Sequence, residues 1–250
     1  MEMSNQGTPQ DLSNVTSTQP TYVGFDLETT GVDYFTDLPV SYAFVEHIVP
    51  GRELYEDVIQ SGYVNPGVPI PAAVTAIHGI TDAMVADAPQ VEWATEMIAA
   101  RLDSVWKNGG MIVGMNVSFD ITMVDSLCQR FGLVPLSQRG LGPIIDVLVI
   151  DRHYDKYRRG GRKLTDLCKH YGVVLGDAHD AASDSSACLE ILQIQLAAKP
   201  ELSAIPLDKI NESVGPWYET WARDYSAYRV KNGDSALNEG RFSWPIHTAD

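Results

Sequence analysis

The spacing of apolar residues changes along the chain, from the two-residue period of strands to the longer period of helices. Residues 22–25 are apolar and aromatic and predict a buried strand, and the alternation in 40–49 and 57–64 predicts two more strands. The short Gly51-Arg52 link between the second and third strands is typical of antiparallel pairing. The sheet is therefore expected to begin as an antiparallel meander.

Helical spacing takes over near residue 70. Within 70–106, Val91, Ala94, Ile98 and Leu102 recur at about one-turn intervals, which predicts a helix with one apolar face. Further along, we expect a strand over 111–115, a helix over 119–131, a short strand over 144–148, and helices over 164–171 and 181–197. Antiparallel strands followed by strands that alternate with helices predict an α/β fold, in which a mixed sheet has helices on both faces.

Two acidic residues directly follow the first predicted strand. Asp26 and Glu28 are two positions apart, so on a strand they share a face. Two carboxylates that point the same way inside a domain repel each other and lose hydration, and a shared cation offsets that cost. Mg²⁺ or Mn²⁺ fits best, because hard cations prefer oxygen ligands. For Asp-x-Glu considered alone, a solvated strand end is the simpler interpretation.

A second polar segment follows the strand expected over 111–115. Asn116 would lie at the strand end and Asp120 in the first turn of the next helix, where sites in α/β sheets gather. Each residue also has a simpler explanation. Asp120 could act only as a favourable partner of the helix dipole, and Asn116 could only bond the turn backbone.

A third segment pairs a histidine with an acid. His179 and Asp184 are five residues apart, which on one helix would separate their side chains by roughly 140°. We therefore expect His179 on the loop before the helix and Asp184 pointing inward from it. A histidine that titrates near neutrality is suited to take a proton from an attacking water. The alternative is a histidine that only forms hydrogen bonds at the helix start.

The formal net charge of −15 over 250 residues argues at first against a nucleic-acid partner, which a polyanion should repel. The distribution of charge changes this, because seven of the eighteen Lys and Arg residues lie between positions 152 and 169. Two bound divalent cations would also cancel the four acidic charges described above. The basic segment therefore predicts a nucleic-acid contact, with a solvated loop that is basic for solubility as the alternative.

Composition predicts a soluble globular protein in a reducing compartment. A hydrophobic content of 44% is ordinary for such a core. Residues 1–20 are polar and contain neither Lys nor Arg, which predicts a flexible arm rather than a signal peptide. No stretch approaches the roughly 20 apolar residues that span a bilayer, so no membrane contact is expected. Three widely separated cysteines favour a reduced cytoplasm.

Three short motifs occur in order along the chain: Asp26-Leu27-Glu28, Asn116-x-x-Phe119-Asp120 and His179-x-Ala181-x-x-Asp184. They resemble the exonuclease motifs of the DEDD superfamily, histidine subgroup, whose members include the proofreading epsilon subunit of bacterial replicative DNA polymerase. The resemblance runs from about residue 21 to residue 197 and includes the segments 64–67 and 76–81. It implies a ribonuclease-H-like fold with a mixed five-stranded sheet.

The resemblance also implies a two-metal mechanism with two divalent cations, Mg²⁺ or Mn²⁺. Asp26, Glu28 and Asp184 would hold one cation directly. Asp26 would touch the second cation, which Asp120 would support, and His179 would be the general base. The products would be nucleoside 5′-monophosphates released from a free 3′ end.

Further positions match family residues near the substrate. Those near the terminal nucleotide are Thr29, His78, Asn116 and Phe119. Phe119 could equally be a core residue. In the basic segment, Arg159, Arg162 and Lys163 would contact a single-stranded backbone through salt-sensitive contacts.

We expect three regions, which are a flexible arm over 1–20, an exonuclease domain over 21–200 and a tail over 201–250. In the tail, Trp217, Trp221, Tyr225 and Tyr228 fall on one face of a helix. We expect this aromatic stripe to pack on the domain, with docking to another protein or stacking on bases as the alternative. The tail is similar to that of free-standing actinobacterial and phage exonucleases.

The leading hypothesis is a cytoplasmic 3′ to 5′ exonuclease that acts on single-stranded DNA. An exoribonuclease of the same superfamily is the first alternative, because RNA and DNA differ at the 2′-OH, which no motif here reports. The second alternative is a proofreading or binding subunit that is tethered to a polymerase, with the tail as its contact to a replication or repair protein. The sequence leaves the oligomeric state open.

Overall fold

The computed structural model describes residues 21–46, 58–176 and 179–249. The strands are β1 Tyr22–Thr29, β2 Pro39–Glu46, β3 Val58–Tyr63, β4 Met111–Gly114 and β5 Ile144–Asp146. The helices are α1 Ala72–His78, α2 Asp82–Val85, α3 Val91–Lys107, α4 Ser118–Arg130, α5 Leu136–Arg139, α6 Val147–Tyr154, α7 Leu164–Tyr171, α8 Ala181–Ala198, α9 Pro200–Ser203 and α10 Ile210–Lys231. The predicted arm and the Gly51-Arg52 link lie outside the described residues.

The five strands form one sheet in the order β3-β2-β1-β4-β5. β1 pairs antiparallel with β2 and β2 antiparallel with β3, whereas β4 runs parallel to both β1 and β5. The sheet is therefore mixed, as the change of period in the sequence predicts. β1 lies at its centre, between an antiparallel neighbour and a parallel one.

Helices cover both faces of this sheet. On one face, Val23, Phe25 and Leu27 of β1 join a core with α3 and α4, and Ala94, Ile98 and Leu102 of α3 are all buried. On the other face, α8 packs across β1, β2 and β4. Alternate residues of β1 thus face different helices, and Gly24, Asp26 and Glu28 point to the side of α8.

The strand predicted over 144–148 is shorter than expected. β5 ends at Asp146, and residues 147–154 form helix α6. The Asp146 side chain accepts hydrogen bonds from the backbone N–H groups of Leu148 and Val149, and so caps the helix. The apolar run after Asp146 suits a buried strand or a buried helix equally well, and the cap decides between them.

Helix α10 of the tail packs against α6 and β5. In this contact the Trp217 ring stacks on His153 with centroids 4.1 Å apart. Tyr218 is buried, and its hydroxyl donates a 3.2 Å hydrogen bond to the Arg241 backbone oxygen. Cys128, Cys168 and Cys188 are buried free thiols. Within the ranges that the structure describes, no helix is both long enough and apolar enough to cross a membrane.

Candidate active site

The paired acids lie on the central strand. Asp26 and Glu28 belong to β1, where Asp26 is opposite Ala43 and Glu28 opposite Ser41 of β2. The register shifts between Glu28 and Thr29, so a bulge follows the second acid directly. Both carboxylates point towards the start of α8, because they share a face with Gly24, which touches that helix.

The segment after β4 brings in a third carboxylate. Asn116 has a positive φ of 59°, which turns the chain sharply before α4. The backbone N–H of Val117 donates a 3.1 Å hydrogen bond to Oδ2 of Asp146, and this bond ties the start of α4 to β5. Asp120 then lies in the first turn of α4 and is only 4% exposed.

The histidine lies on the loop before α8. His179 has a φ of 68°, and Asp180 caps the helix by accepting a 3.0 Å hydrogen bond from the Ser183 backbone N–H. The imidazole is exposed, whereas Asp184 is half-buried in the first turn. The side chains of Glu28, His179 and Asp184 place one ligand-type atom each within 4.8 Å of one another.

The carboxylates raise one another's pKa values. Burial raises the pKa of Asp26, and the charges of Asp120, Glu28 and Asp184 raise it further. The pKa of Glu28 rises to about 8, chiefly through burial and then through repulsion by Asp184 and Asp180. Ionisation of all these groups in a shared, partly dehydrated site is therefore costly without a positive charge among them.

Two of the carboxylates receive some compensation from the backbone. For Asp120, burial raises the pKa, while hydrogen bonds from its own backbone and from that of Leu27 oppose the rise. For Asp184, burial raises the pKa to about 6, and the charge and backbone of His179 oppose the rise. These bonds hold both carboxylates in place but leave a large negative excess.

These residues fit a divalent cation. Oδ1 of Asp184 is buried and has no hydrogen-bond partner among the described residues, so it has capacity for one more contact. It belongs to the Glu28, His179 and Asp184 cluster, which offers two carboxylates and an imidazole at ligand spacing. Oxygen donors of this kind suit Mg²⁺ or Mn²⁺.

A large open cavity is lined by His179, the histidine of the cluster with Glu28 and Asp184. It has a volume of about 820 Å³, and four of the predicted substrate residues line it, namely Thr29, Asn116, Phe119 and Lys163. Its lining includes three cations, Lys163, Arg229 and Arg241, and no carboxylate among the residues that the structure describes. In a chain with a net charge of −15, this lining favours a polyanionic occupant.

A second cavity has a volume of about 390 Å³, and His179 lines both cavities. His78 lines the smaller one, and its Nδ1 accepts a 3.0 Å hydrogen bond from the Ile80 backbone N–H. Burial lowers the pKa of His78, the backbone of Thr29 opposes this, and the charge of His179 adds to it. His78 is therefore a neighbour of the predicted base, although it lies outside the larger cavity.

The two remaining predicted substrate residues lie away from the acids. Arg162 forms an ion pair with the buried Asp151 and also bonds the backbone oxygen of Asp155. Arg159 is exposed on the adjoining loop. Through these two contacts, Arg162 stabilises the conformation of the basic segment.

The tail supplies part of the cavity wall, which the sequence did not indicate. Tyr218, Arg241 and His247 line the larger cavity together with Thr29 and Asn116. The His247 backbone N–H donates a 2.9 Å hydrogen bond to Oγ1 of Thr122 in α4. In the sequence, the aromatic stripe was the one feature that suggested a role for the tail. That stripe lies in α10 and does not include the last ten residues.

A five-stranded mixed sheet with helices on both faces and two carboxylates on its central strand is the ribonuclease-H-like fold, which confirms the predicted fold. The structure resembles E. coli exonuclease I in complex with a dA16 oligonucleotide, with a TM-score of 0.59 and 21% identity. The match covers 73% of this chain and 42% of that one.

The chain belongs to the exonuclease family, whose model matches residues 23–192. This confirms the resemblance found in the sequence, and with it the expected class of enzyme. Curated relatives include the PolC-type DNA polymerase III of Bacillus subtilis, 29% identical over 198 residues, which are 79% of this chain. That of Staphylococcus aureus is 30% identical over 207 residues, or 82% of this chain. The match covers only 13% of either relative.

Proposed function

We propose that the chain is a metal-dependent 3′ to 5′ exonuclease that removes nucleoside 5′-monophosphates from single-stranded DNA. The observation that carries the proposal is the position of four mutually repelling carboxylates beside a cation-lined cavity of about 820 Å³. The carboxylates suit a cation, and the cavity suits a phosphate backbone. A terminal phosphodiester between them would contact both.

Asp26, Glu28 and Asp184 would hold one divalent cation, and Asp120 would support a second one with Asp26. When bound, such cations activate water and stabilise the charge on a leaving 3′ oxygen. The raised pKa values of Asp26, Glu28 and Asp184 support this assignment, because positive charge at the site would offset the burial and the repulsion that raise them.

His179 is positioned to accept a proton from the attacking water. Its imidazole is exposed and lines both cavities, so water and substrate can reach it. The water oxygen attacks phosphorus, the bond from phosphorus to the 3′ oxygen breaks, and the 3′ oxygen takes a proton from solvent. A carboxylate oxygen of Asp184 lies within 4.8 Å of a ring nitrogen of His179 and would stabilise the imidazolium that forms.

DNA is the preferred substrate in this proposal because of the relatives. E. coli exonuclease I, the structural neighbour, was solved with a DNA oligonucleotide, and the sequence relatives are DNA polymerases by name. The lining of the larger cavity supports a polyanion of either kind. A link to replication or repair proteins through the tail is part of the same proposal.

A digestion panel tests the proposal. DNA and RNA oligonucleotides, single- and double-stranded and labelled at either end, are incubated with the protein in Mg²⁺, Mn²⁺ or EDTA. We expect stepwise shortening from the 3′ end of single-stranded DNA, release of 5′-monophosphates, and no reaction in EDTA. Faster shortening of RNA would identify an exoribonuclease instead, and cleavage at internal positions would contradict the exonuclease assignment.

A further inference from the structure

The second half of α10 carries an aromatic ladder, Trp221, Tyr225 and Tyr228. The rings of Trp221 and Tyr225 are nearly parallel, at 11°, with centroids 5.4 Å apart. Tyr225 and Tyr228 follow at 17° and 6.5 Å. Tyr225 is 40% exposed and Tyr228 is 63% exposed, so this part of the predicted stripe does not pack into the core. Aligned, exposed rings suit flat aromatic ligands.

Cations flank this ladder. The Arg152 guanidinium lies over the Trp221 ring, with its carbon 3.6 Å from the centroid. Arg152, Lys156 and Arg162 line a cavity of about 470 Å³ together with Trp221 and Tyr225, and no carboxylate lines it among the described residues. Burial lowers the pKa of Arg152 to about 10, and the charge of Arg162 contributes to the lowering. An anion in the cavity would relieve that repulsion.

Two of these cations form ion pairs with acidic residues, and the two ion pairs differ in burial. Arg162 pairs with the buried Asp151, so it is held in place. Lys156 lies 2.8 Å from Asp224, but both side chains are more than half exposed. Exposed pairs contribute little stability, so Lys156 can exchange Asp224 for a phosphate at small cost.

The ladder is continuous with the candidate active site. Trp221 and Tyr225 line both the cationic cavity and the larger cavity beside His179. A strand whose 3′ end lies at the carboxylates therefore has a path along α10. The aromatic residues of this path lie outside residues 23–192, the part of the chain that the exonuclease family model matches, whereas its cations lie within it.

We infer that Trp221, Tyr225 and Tyr228, with Arg152, Lys156 and Arg162, form a second binding subsite for single-stranded nucleic acid, upstream of the terminus that is hydrolysed. The inference rests on the proposed function, since the 3′ end must lie at the carboxylates. Bases of a single strand stack on the exposed rings, and the phosphates contact the cations. A duplex buries its base faces and cannot use the rings in this way.

Binding is measured by fluorescence anisotropy with Asp26→Asn in EDTA, so that the oligonucleotide stays intact. The probes are oligothymidines of about 4 and about 14 nucleotides, the span of single-strand site sizes. The test variant carries Tyr225→Ser and Tyr228→Ser. The matched control is Trp93→Ser, because Trp93 is a 57% exposed aromatic residue of α3, away from both cavities.

We expect the double variant to weaken binding of the longer probe about tenfold or more, as the loss of base stacking requires. Binding of the short probe should change less than about twofold, and the control should match the parent on both. Equal losses on the short and long probes would overturn the inference, because the residues would then act at the terminus. Unchanged binding of the longer probe would also overturn it. If the double variant instead loses only the ability to bind an acidic peptide, the surface would be assigned to a protein partner.

Hydrolysis of a short substrate by the wild-type chain separates this inference from the proposed function. If the short oligothymidine is hydrolysed but the double variant binds the longer probe as tightly as the parent does, the upstream subsite alone is wrong. If no 3′ end is hydrolysed under any condition, both the proposed function and the subsite that depends on it are wrong.

Discussion

Gly24 of β1 lies directly against Ser185 of α8. A Cβ atom added at Gly24 would be 2.8 Å from the Ser185 backbone oxygen, a distance that Cβ atoms do not adopt. Gly24 is two residues before Asp26, and Ser185 directly follows Asp184. The absence of a side chain at Gly24 therefore sets the spacing between the carboxylates on the strand and the carboxylate on the helix.

Gly24→Ala should push α8 away from β1. We expect a loss of about 1–3 kcal/mol in the free energy of unfolding and a further loss of activity in the folded fraction. Chemical denaturation and steady-state rates measure the two effects. Gly215→Ala is the control, because its added Cβ would make an ordinary 3.5 Å contact with Trp244. An unchanged rate in folded Gly24→Ala would contradict the role of this contact.

Asp26→Asn should abolish the Mg²⁺-dependent release of 5′-monophosphates and leave the fold intact. Asp26 is at the centre of the repelling carboxylates, so the amide removes a charge that a cation needs. We expect a rate loss of about a thousandfold or more, since cations supply several kcal/mol of transition-state stabilisation. Glu190→Gln, an exposed acid on the outer part of α8, is the control. Activity that survives Asp26→Asn would refute the site assignment.

His179→Ala should slow hydrolysis by about 10²- to 10⁴-fold, the usual contribution of a positioned general base. The effect of this substitution on metal binding distinguishes a general base from a metal ligand. Titration calorimetry with Mn²⁺ should show nearly unchanged affinity if His179 only accepts the proton. A large loss of affinity would instead make His179 a ligand, which its 4.8 Å cluster with Glu28 and Asp184 also permits. His170→Ala, on the exposed face of α7, is the control.

Glu28→Gln should stabilise the metal-free protein near neutral pH. The pKa of Glu28 in the fold, about 8, is above its ordinary value of 4.5, so the folded state binds more protons between these values. Stability from this group is therefore present at low pH and lost as pH rises towards 8. After allowance for solvent screening, the variant should gain about 1–3 kcal/mol at pH 8.

Thermal denaturation in EDTA measures this gain. Addition of Mg²⁺ should raise the Tm of the wild type more than that of Glu28→Gln. The cation offsets the charge repulsion at Glu28, which the substitution has already removed. A variant that is destabilised in EDTA at pH 8 would show that Glu28 has favourable contacts that outweigh the repulsion.

His247 should make the attachment of the tail sensitive to acid. Burial lowers its pKa to about 4, while the hydrogen bond with the Ser243 backbone opposes the shift. The unfolded chain binds a proton below about 6.5 and the folded chain does not, so stability falls as pH drops from 6.5 to 4, by up to about 3 kcal/mol.

The carboxylates act in the opposite direction over part of this range, so the useful quantity is a difference. The unfolding free energy of His247→Asn should depend less steeply on pH between 6.5 and 4 than that of the wild type. Replacement of the exposed His170 by Asn is the matched control. Equal slopes for wild type and His247→Asn would contradict the prediction.

Local pattern predicted most of the elements. The period of apolar residues identified the meander, the helix with Ala94 and Ile98 inside, and the helix that carries Asp184, because a strand or an amphipathic helix buries residues at its own spacing. The short helices α5 and α9 were not predicted, and the apolar run after Asp146 was expected to be a strand. Buried strands and buried helices are both continuously apolar, so the run was ambiguous and the capping bonds of Asp146 decided it.

The candidate site was predictable for a different reason. Each motif places its chemistry within a few residues of an element end: Glu28 at a strand end, Asp120 in a first helical turn, His179 on the preceding loop. The structure brings these segments together because β1 and β4 are parallel neighbours in the sheet and α8 packs across both. The resemblance to exonucleases implied a role for each of these residues, which the spacing of the motifs alone left open.

For the tail, the sequence predicted a helix with an aromatic face but did not predict which of its aromatic residues are buried. The stripe lies on one helix, as predicted, but packing divides it, since Trp217 and Trp221 are partly buried against the core while Tyr225 and Tyr228 are exposed. Nothing local distinguishes these aromatic residues. Trp217 and Trp221 pack against His153 and Arg152 of α6, which are more than fifty residues away along the chain.

The sequence by itself therefore determined the order of elements, the acidic and histidine motifs and the class of enzyme, because each is encoded over a few neighbouring residues. Only the tertiary structure decided which distant residues share a cavity. Thr29 and Arg241 line the same space because α10 packs against α6 and β5, and the final segment bonds α4. Docking of this kind depends on packing between elements far apart in the chain, and no short-range pattern records it.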